Sequence, residues 1–222
     1  MRTVDTVYGT FAVHDNDLIG NLLTRDRIWE PHNIALMQEY VQKGNTVLDI
    51  GANIGFFSVV LSHIVGEEGR VYSFEPVPAN LELLNTNINR LYNKNVTVFN
   101  KALGKTSGYI SMQSERGNMG NSFVVDESQG TVELLTLDSL NLTPSFIKMD
   151  VQGFEYDVLL GGLETLKKYR PVMIIELEDS NGSIPTSFKN SKENSMELLN
   201  ELGYTLLKIE SDYPVDYLCL PN

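Results

Sequence analysis

Residues 47–58 read Val47-Leu48-Asp49-Ile50-Gly51-Ala52-Asn53-Ile54-Gly55-Phe56-Phe57-Ser58. A short apolar β-run ends in an acid, turns through two glycines and enters an apolar helix. An α/β sheet builds a small-molecule site in this way, at the carboxyl end of its first strand. Twenty residues past Gly55 a second β-run, Arg70 to Phe74, ends in Glu75-Pro76. An acid at that place holds the two hydroxyls of a ribose. The two features together predict an adenosine-containing cofactor. The blander alternative is an ordinary βα turn with no ligand, and the spacing to Glu75 argues against it.

The glycine pattern selects the cofactor. A dinucleotide fingerprint needs glycine at its second and third positions, so that backbone approaches a pyrophosphate and the helix closes on the strand. Counted from Gly51, those positions hold Asn53 and Phe56, which disfavours NAD or FAD. The Asp-x-Gly-x-x-x-Gly arrangement suits S-adenosylmethionine instead. Its small carboxylate needs only a few backbone N–H groups at a helix start, where the dipole also favours negative charge. Asp49 supplies a counter-charge for the amino group or sulfonium.

Working outward, helical and strand signals alternate from about residue 33, which predicts a doubly wound α/β fold with a mostly parallel seven-stranded sheet. Strands are expected at Thr46–Ile50, Val71–Phe74, Val96–Leu103, Phe146–Met149 and Val172–Leu177. Helices are expected at Asn33–Val41, Gly55–Ile64, Pro78–Leu91, Glu155–Tyr169 and Lys192–Leu202. Tyr204–Ile209 and Asp216–Leu220 read as a C-terminal hairpin that puts an antiparallel strand at the sheet edge. Residues 1–32 form a preamble that contributes to the site, ending in Trp29-Glu30-Pro31-His32. Residues 104–140 carry two inserted strands, Tyr109–Met112 and Val132–Leu137, around a mobile loop, Ser114–Thr131, rich in Gly, Asn and Ser. One domain spanning 1–222 is the simplest organisation.

Composition narrows the partners. The net charge is −12, with 17 basic residues facing 29 acidic ones and no basic run. That balance opposes binding to phosphate backbones. A single cysteine, Cys219, excludes an internal disulfide framework. No signal-like or membrane-spanning apolar run is visible. A soluble cytoplasmic protein is expected, with no nucleic-acid or membrane partner and an oligomeric state left open.

With these pieces in order the chain resembles the FkbM family of class I S-adenosylmethionine-dependent methyltransferases over roughly residues 29–178. The resemblance is carried by Val47–Gly55, Phe74-Glu75-Pro76, Thr136-Leu137-Asp138-Ser139-Leu140, Ile147-Lys148-Met149-Asp150-Val151-Gln152-Gly153-Phe154-Glu155, and Arg170–Glu176. It implies a Rossmann-like methyltransferase that methylates hydroxyls of a small-molecule or glycan acceptor, often those of sugars in glycans or glycosylated metabolites. It further implies that Asp49, Gly51, Asn53 and Gly55 line the methionine end of the cofactor and that Glu75-Pro76 holds the ribose. Lys101-Ala102 would lie beside the adenine, and Glu30 would reach the amino group. The family usually carries an acid where this chain has Gln152, so a charge is missing there.

An alcohol acceptor must lose its proton, to a carboxylate, to a histidine or through a metal. Asp150, ending the fourth strand at the ligand-binding edge of the sheet, is the leading candidate, with Glu176 on the neighbouring strand. Asp150, Glu176 and Glu178 could also converge on Mg²⁺ or Mn²⁺, an arrangement that resembles the metal-dependent macrocin-type sugar O-methyltransferases. Solvated loop acids are the plainer reading of Glu178 and Asp179. His32 is a second candidate base, His63 reads as structural, and His14 has no visible partner. The competing functions are an NAD-dependent oxidoreductase, a cofactor-binding protein without catalysis, and methyl transfer to a non-sugar acceptor.

Overall fold

The computed structural model describes residues 1–15, 17–115, 118–126, 130–177, 191–211 and 215–222. The preamble is itself structured: strands β1 (Arg2–Thr6) and β2 (Gly9–Val13) form a hairpin, followed by helix α1 (Leu18–Asp26) capped by the Asp17 carboxylate. Helix α2 (Pro31–Tyr40) then leads into β3 (Thr46–Ile50), α3 (Phe56–Val65), β4 (Arg70–Phe74), α4 (Pro78–Ile88) and β5 (Val96–Phe99). A second group comprises β6 (Ala102–Leu103), β7 (Gly108–Glu115), β8 (Asn118–Asp126) and β9 (Val132–Leu135). The chain returns through β10 (Phe146–Met149), α5 (Glu155–Leu160), α6 (Leu163–Tyr169), β11 (Val172–Glu176), α7 (Ser191–Glu201), β12 (Tyr204–Lys208) and β13 (Asp216–Pro221).

The main sheet has seven strands in the order β12-β13-β11-β10-β3-β4-β5. Only β13 runs against its neighbours, being antiparallel to both β11 and β12. The expected C-terminal hairpin is therefore present, but its antiparallel strand is inserted one place in from the edge, and β12 forms the edge. The chain leaves β3 toward β4 and β5, then returns on the other side through β10 and β11. That reversal opens a crevice at the carboxyl ends of β3 and β10, where ligands bind in open α/β sheets.

Alternation along these strands divides the core in two. Val47, Phe146 and Ile174 join the cluster beneath α2, α3 and the N-terminal hairpin. Leu48, Ile50, Ile147, Met149 and Ile175 face the other way, with α5, α6 and the second sheet. Asp49 and Lys148, register partners on β3 and β10, share the first face and are both buried.

Three expected elements differ. The strand expected over Val96–Leu103 is cut at Asn100-Lys101: β5 stays in the main sheet, and β6 pairs with β9 in a four-stranded sheet of order β6-β9-β7-β8. The helix expected over Glu155–Tyr169 breaks at Gly161-Gly162 because backbone of the second sheet passes there; a Cβ on Gly161 would stand 2.0 Å from the Gly104 carbonyl oxygen. Within the expected loop Ser114–Thr131, Asn118–Asp126 is strand β8, antiparallel to β7. Its Gly, Asn and Ser content suggests a loop, but antiparallel pairing with β7, shifted in register at two places, satisfies one side of its backbone, a tertiary gain that local composition does not report.

The turn after β3 is built on tight backbone contact. Gly51 has φ +85°, and a Cβ there would lie 1.8 Å from the Asp150 carbonyl oxygen. Gly51→Ala is expected to destabilise the fold by about 2 kcal/mol or more, from a left-handed backbone plus a clash with rigid main chain. Urea denaturation reads this directly, and an unchanged midpoint would contradict the packing described.

Candidate active site

The crevice is a cleft enclosing about 570 Å³ of space, open solvent at its mouth included. Its floor is the β3 turn (Gly51, Asn53) and the end of β10 (Asp150, Val151, Gln152), with Glu75, Pro76 and Asn80 on one side. Lys101, Ala102, Leu103, Met112 and Val124, of the second sheet and its approach, complete the lining.

Seven expected residues thus converge on one cavity: Gly51, Asn53, Glu75, Pro76, Lys101, Ala102 and Asp150. Glu75 is buried and accepts hydrogen bonds from Asn53 N (2.7 Å) and Val77 N (2.9 Å). Asn53 is held at φ 51° and Gln152 at φ 53°, left-handed conformations for residues that have a Cβ. Such strain concentrates at working sites. Lys101 forms an ion pair with Glu133 on β9.

Four expected residues lie off the cleft lining. Asp49 is fully buried behind the turn, where its Oδ2 accepts from Ser58 Oγ at 2.6 Å. Gly55 answers to packing, since a Cβ there would meet Leu84 Cδ1 at 2.4 Å. Glu30 and Glu176 belong to a polar cluster that extends from the cleft floor under the start of α2. Glu30 is the N-cap residue of α2, at φ 43°. Asn33 Nδ2 donates to Glu30 Oε2 (2.8 Å) and to Asp216 Oδ2 (2.9 Å). Gln152 Nε2 donates to Asp150 Oδ1 (2.7 Å) and to Glu176 Oε1 (3.2 Å). Two carboxamides therefore each bridge two carboxylates.

The cation at the centre is Lys148, 4% exposed, with Nζ 3.2 Å from Asp150 Oδ2 and 5.1 Å from the Phe57 ring centroid. Burial pulls its pKa down, yet the charges of Asp150, Asp49, Glu30 and Glu176 outweigh that and hold it above the usual lysine value. Sequence reasoning quoted Lys148 but gave it no role. The available signal was a lysine inside a four-residue strand with parallel neighbours on both sides, where no side chain reaches water.

Of the expected metal ligands, Asp150 and Glu176 lie together. Glu178 and Asp179 lie outside the described residues. Between Asp150 and Glu176 sits the Gln152 amide, a donor in the place a cation would need. Among the described residues the ligand atoms that do converge are those of Glu30, His32 and Asp216, within 4.8 Å of one another. There too an amide, that of Asn33, bridges both carboxylates.

The Methyltransferase FkbM domain model matches residues 49–206. The chain belongs to the FkbM methyltransferase family. Its strand order and helices are those of class I S-adenosylmethionine-dependent methyltransferases. An FkbM methyltransferase structure from Methylobacillus flagellatus KT superposes with a TM-score of 0.56 at 16% identity, covering 90% of this chain and 52% of that one. The hexuronic acid methyltransferase AglP of Haloferax volcanii is 28% identical over 156 residues, 68% of this chain and 63% of that protein. A protein-L-isoaspartate O-methyltransferase of Methanococcoides burtonii is 36% identical over 70 residues, 31% of this chain and 34% of that protein. The FkbM chain thus spans less than two thirds of either curated relative. Among the described residues, no helix is long and apolar enough to cross a membrane.

Burial dominates the titration of the FkbM cleft. It pushes Glu30, Glu75 and Glu155 up to about 7 from an ordinary 4.5, and it raises Asp49, Glu176 and Asp216 as well. Each group holds a proton in the folded state, across a window from its ordinary pKa to its raised one, that it releases on unfolding. Stability is therefore fully present at the acid end of that window and falls as pH rises through it. The melting temperature is expected to be higher near pH ~5.5 than near pH ~8. Scanning calorimetry that shows the reverse order would contradict the burial of these carboxylates.

Proposed function

We propose that this FkbM protein transfers a methyl group from S-adenosylmethionine to a hydroxyl, that of a sugar in a glycan or glycosylated metabolite. The observation that carries the reading is the convergence of the β3 turn, the Glu75 carboxylate and the Asp150 carboxylate on one cleft at the topological switch point. The donor set fits the cofactor. Backbone N–H groups at the start of α3 suit a carboxylate, buried acids suit an ammonium and a sulfonium, and Glu75 suits a ribose diol. The sugar acceptor is supported by the hexuronic acid methyltransferase relative. The excess of acidic over basic residues speaks against a nucleic-acid acceptor, and the expected setting remains the cytoplasm.

The residues divide the work as follows. Gly51, Asn53 and Gly55 shape the turn that receives the methionine end. Asp49, from behind the turn, and Glu30, from the start of α2, lie on the ammonium's side, and the cation would favour their charged forms against the burial that raises both. Glu75-Pro76 takes the ribose, and Lys101-Ala102 borders the adenine. When bound, the cofactor supplies an electrophilic methyl on a sulfonium that departs as a neutral thioether. Asp150 accepts the proton of the attacking hydroxyl, and Glu176, linked to it through Gln152, fixes its orientation. Alignment provides much of the rate, since holding nucleophile and methyl in line removes most of the entropic barrier. With Gln152 donating to both carboxylates, a carboxylate base is favoured over a Mg²⁺ or Mn²⁺ ion at Asp150 and Glu176.

Calorimetric titration with S-adenosylhomocysteine is expected to show binding, and titration with NAD none; the opposite pair of results would replace this reading with an oxidoreductase. Glu75→Ala should weaken cofactor binding at least about tenfold, the loss of a charge-assisted contact. Asp150→Ala should bind the cofactor normally but lose about 100-fold or more in turnover on a sugar-nucleotide panel read by product mass. Equal turnover by the two proteins would remove Asp150 from the chemistry. Chelator treatment should leave turnover intact, and a loss restored by Mn²⁺ would reinstate the ion.

A further inference from the structure

The N-terminal hairpin lies outside the segment that the family model matches. It is nevertheless fastened to the cleft by two asparagines of α4, Asn80 and Asn87, both buried and two helical turns apart. Asn87 Oδ1 accepts from Ala12 N (2.7 Å), while its Nδ2 donates to Ala12 O (3.0 Å) and to Ile54 O (2.8 Å). One side chain thereby joins β2 to the turn between Gly51 and Gly55. Phe11 of β2 packs on Phe56 with ring centroids 5.3 Å apart, closing the same junction.

Asn80 continues the connection toward the cleft. His14 Nε2 lies 2.9 Å from Asn80 Oδ1, and the Asn80 side chain is hydrogen-bonded to Glu75. The Asn80 hydrogen bond favours the charged form of Glu75, so Asn80 presents its NH₂ to the carboxylate and its oxygen to the histidine. His14 must then carry a proton on Nε2. The result is a directed chain, His14 to Asn80 to Glu75, from the hairpin to an acid that lines the cleft. The other two donors to Glu75, Asn53 N and Val77 N, are main chain and fixed by the fold. Asn80 is a buried side-chain donor whose orientation is set by the partners of its amide, His14 among them. Each donation polarises the next, so the last bond in such a chain gains from the first.

We propose that the N-terminal hairpin is a working part of the nucleoside end of the cofactor site, with His14 as a positioning residue. Through Asn80 it holds the Glu75 carboxylate in the orientation that accepts a ribose diol. The inference rests on the cofactor reading above. It assigns to residues outside the matched family segment a share in cofactor affinity.

The test is calorimetric binding of S-adenosylhomocysteine to the full chain in wild type, His14→Phe, His14→Gln, Glu75→Gln and the His14→Phe/Glu75→Gln double variant, with thermal denaturation of each. His14→Phe is expected to bind about tenfold more weakly, and His14→Gln, which keeps an N–H donor, to recover most of that. In the Glu75→Gln background the same His14→Phe change should cost less than about twofold, because the two residues act in series. An affinity equal to wild type in His14→Phe, or the same loss with and without Glu75, would overturn the relay. His14→Ala gives the same comparison if the phenylalanine variant does not fold. No binding by the wild type would instead overturn the cofactor reading, an outcome distinct from failure of the relay, which leaves wild-type binding intact.

Discussion

The Lys148 ammonium lets several carboxylates occupy one buried place. Asp49, Asp150, Glu176 and Glu30 all act on it electrostatically, and Asp216 feels it in turn. Taking such charges out of water costs several kcal/mol per ion; without a central cation the acids would have to protonate or move apart. β-sheet geometry puts the cation there. Lys148 is the register partner of Asp49 on a neighbouring parallel strand, so both side chains leave the same face. Two amides, Asn33 and Gln152, then tie Glu30, Asp216 and Glu176 into the cluster by hydrogen bonds, and Gln152 also donates to Asp150, the carboxylate that the lysine touches. The acids that border the cleft floor are thus organised before any ligand arrives, and the protein bears the electrostatic cost in the folded state.

That arrangement explains why the turn after β3 is so constrained. Gly51 passes against the Asp150 main chain at a distance no side chain permits, which locks the ends of β3 and β10 together. Gly55 admits Leu84 of α4. One glycine fixes the acid-bearing strand and the other fixes the helix that carries Asn80 and Asn87. The two glycines that announce the motif therefore act by determining which neighbours may approach the turn, and only indirectly by receiving a ligand.

Much of this was legible in the sequence where periodicity and end signals were local. Strands Thr46–Ile50 and Phe146–Met149 begin and end as the apolar runs do, and α2, α3 and α4 start within two residues of their expected positions. The Glu75 spacing put the acid at the end of β4, and it does line the cleft. What was hidden depends on contacts distant in the chain. The break at Gly161-Gly162 is dictated by Gly104, the division of the Val96–Leu103 run by a second sheet, and strand β8 by its partner β7. His14 had no visible partner because its partner is 66 residues away. Lys148 was overlooked because a lone lysine in a short strand acquires meaning only when its register against β3 is known.

The cleft has two walls of different origin. One belongs to the seven-stranded sheet and its turns; the other, with Ala102, Leu103, Met112 and Val124, comes from the four-stranded sheet. Length and side-chain changes in the β7–β8 hairpin would reshape that far wall while leaving every residue of the parallel scaffold in place. A lineage built on this plan can diversify what it accepts without re-evolving how it is charged.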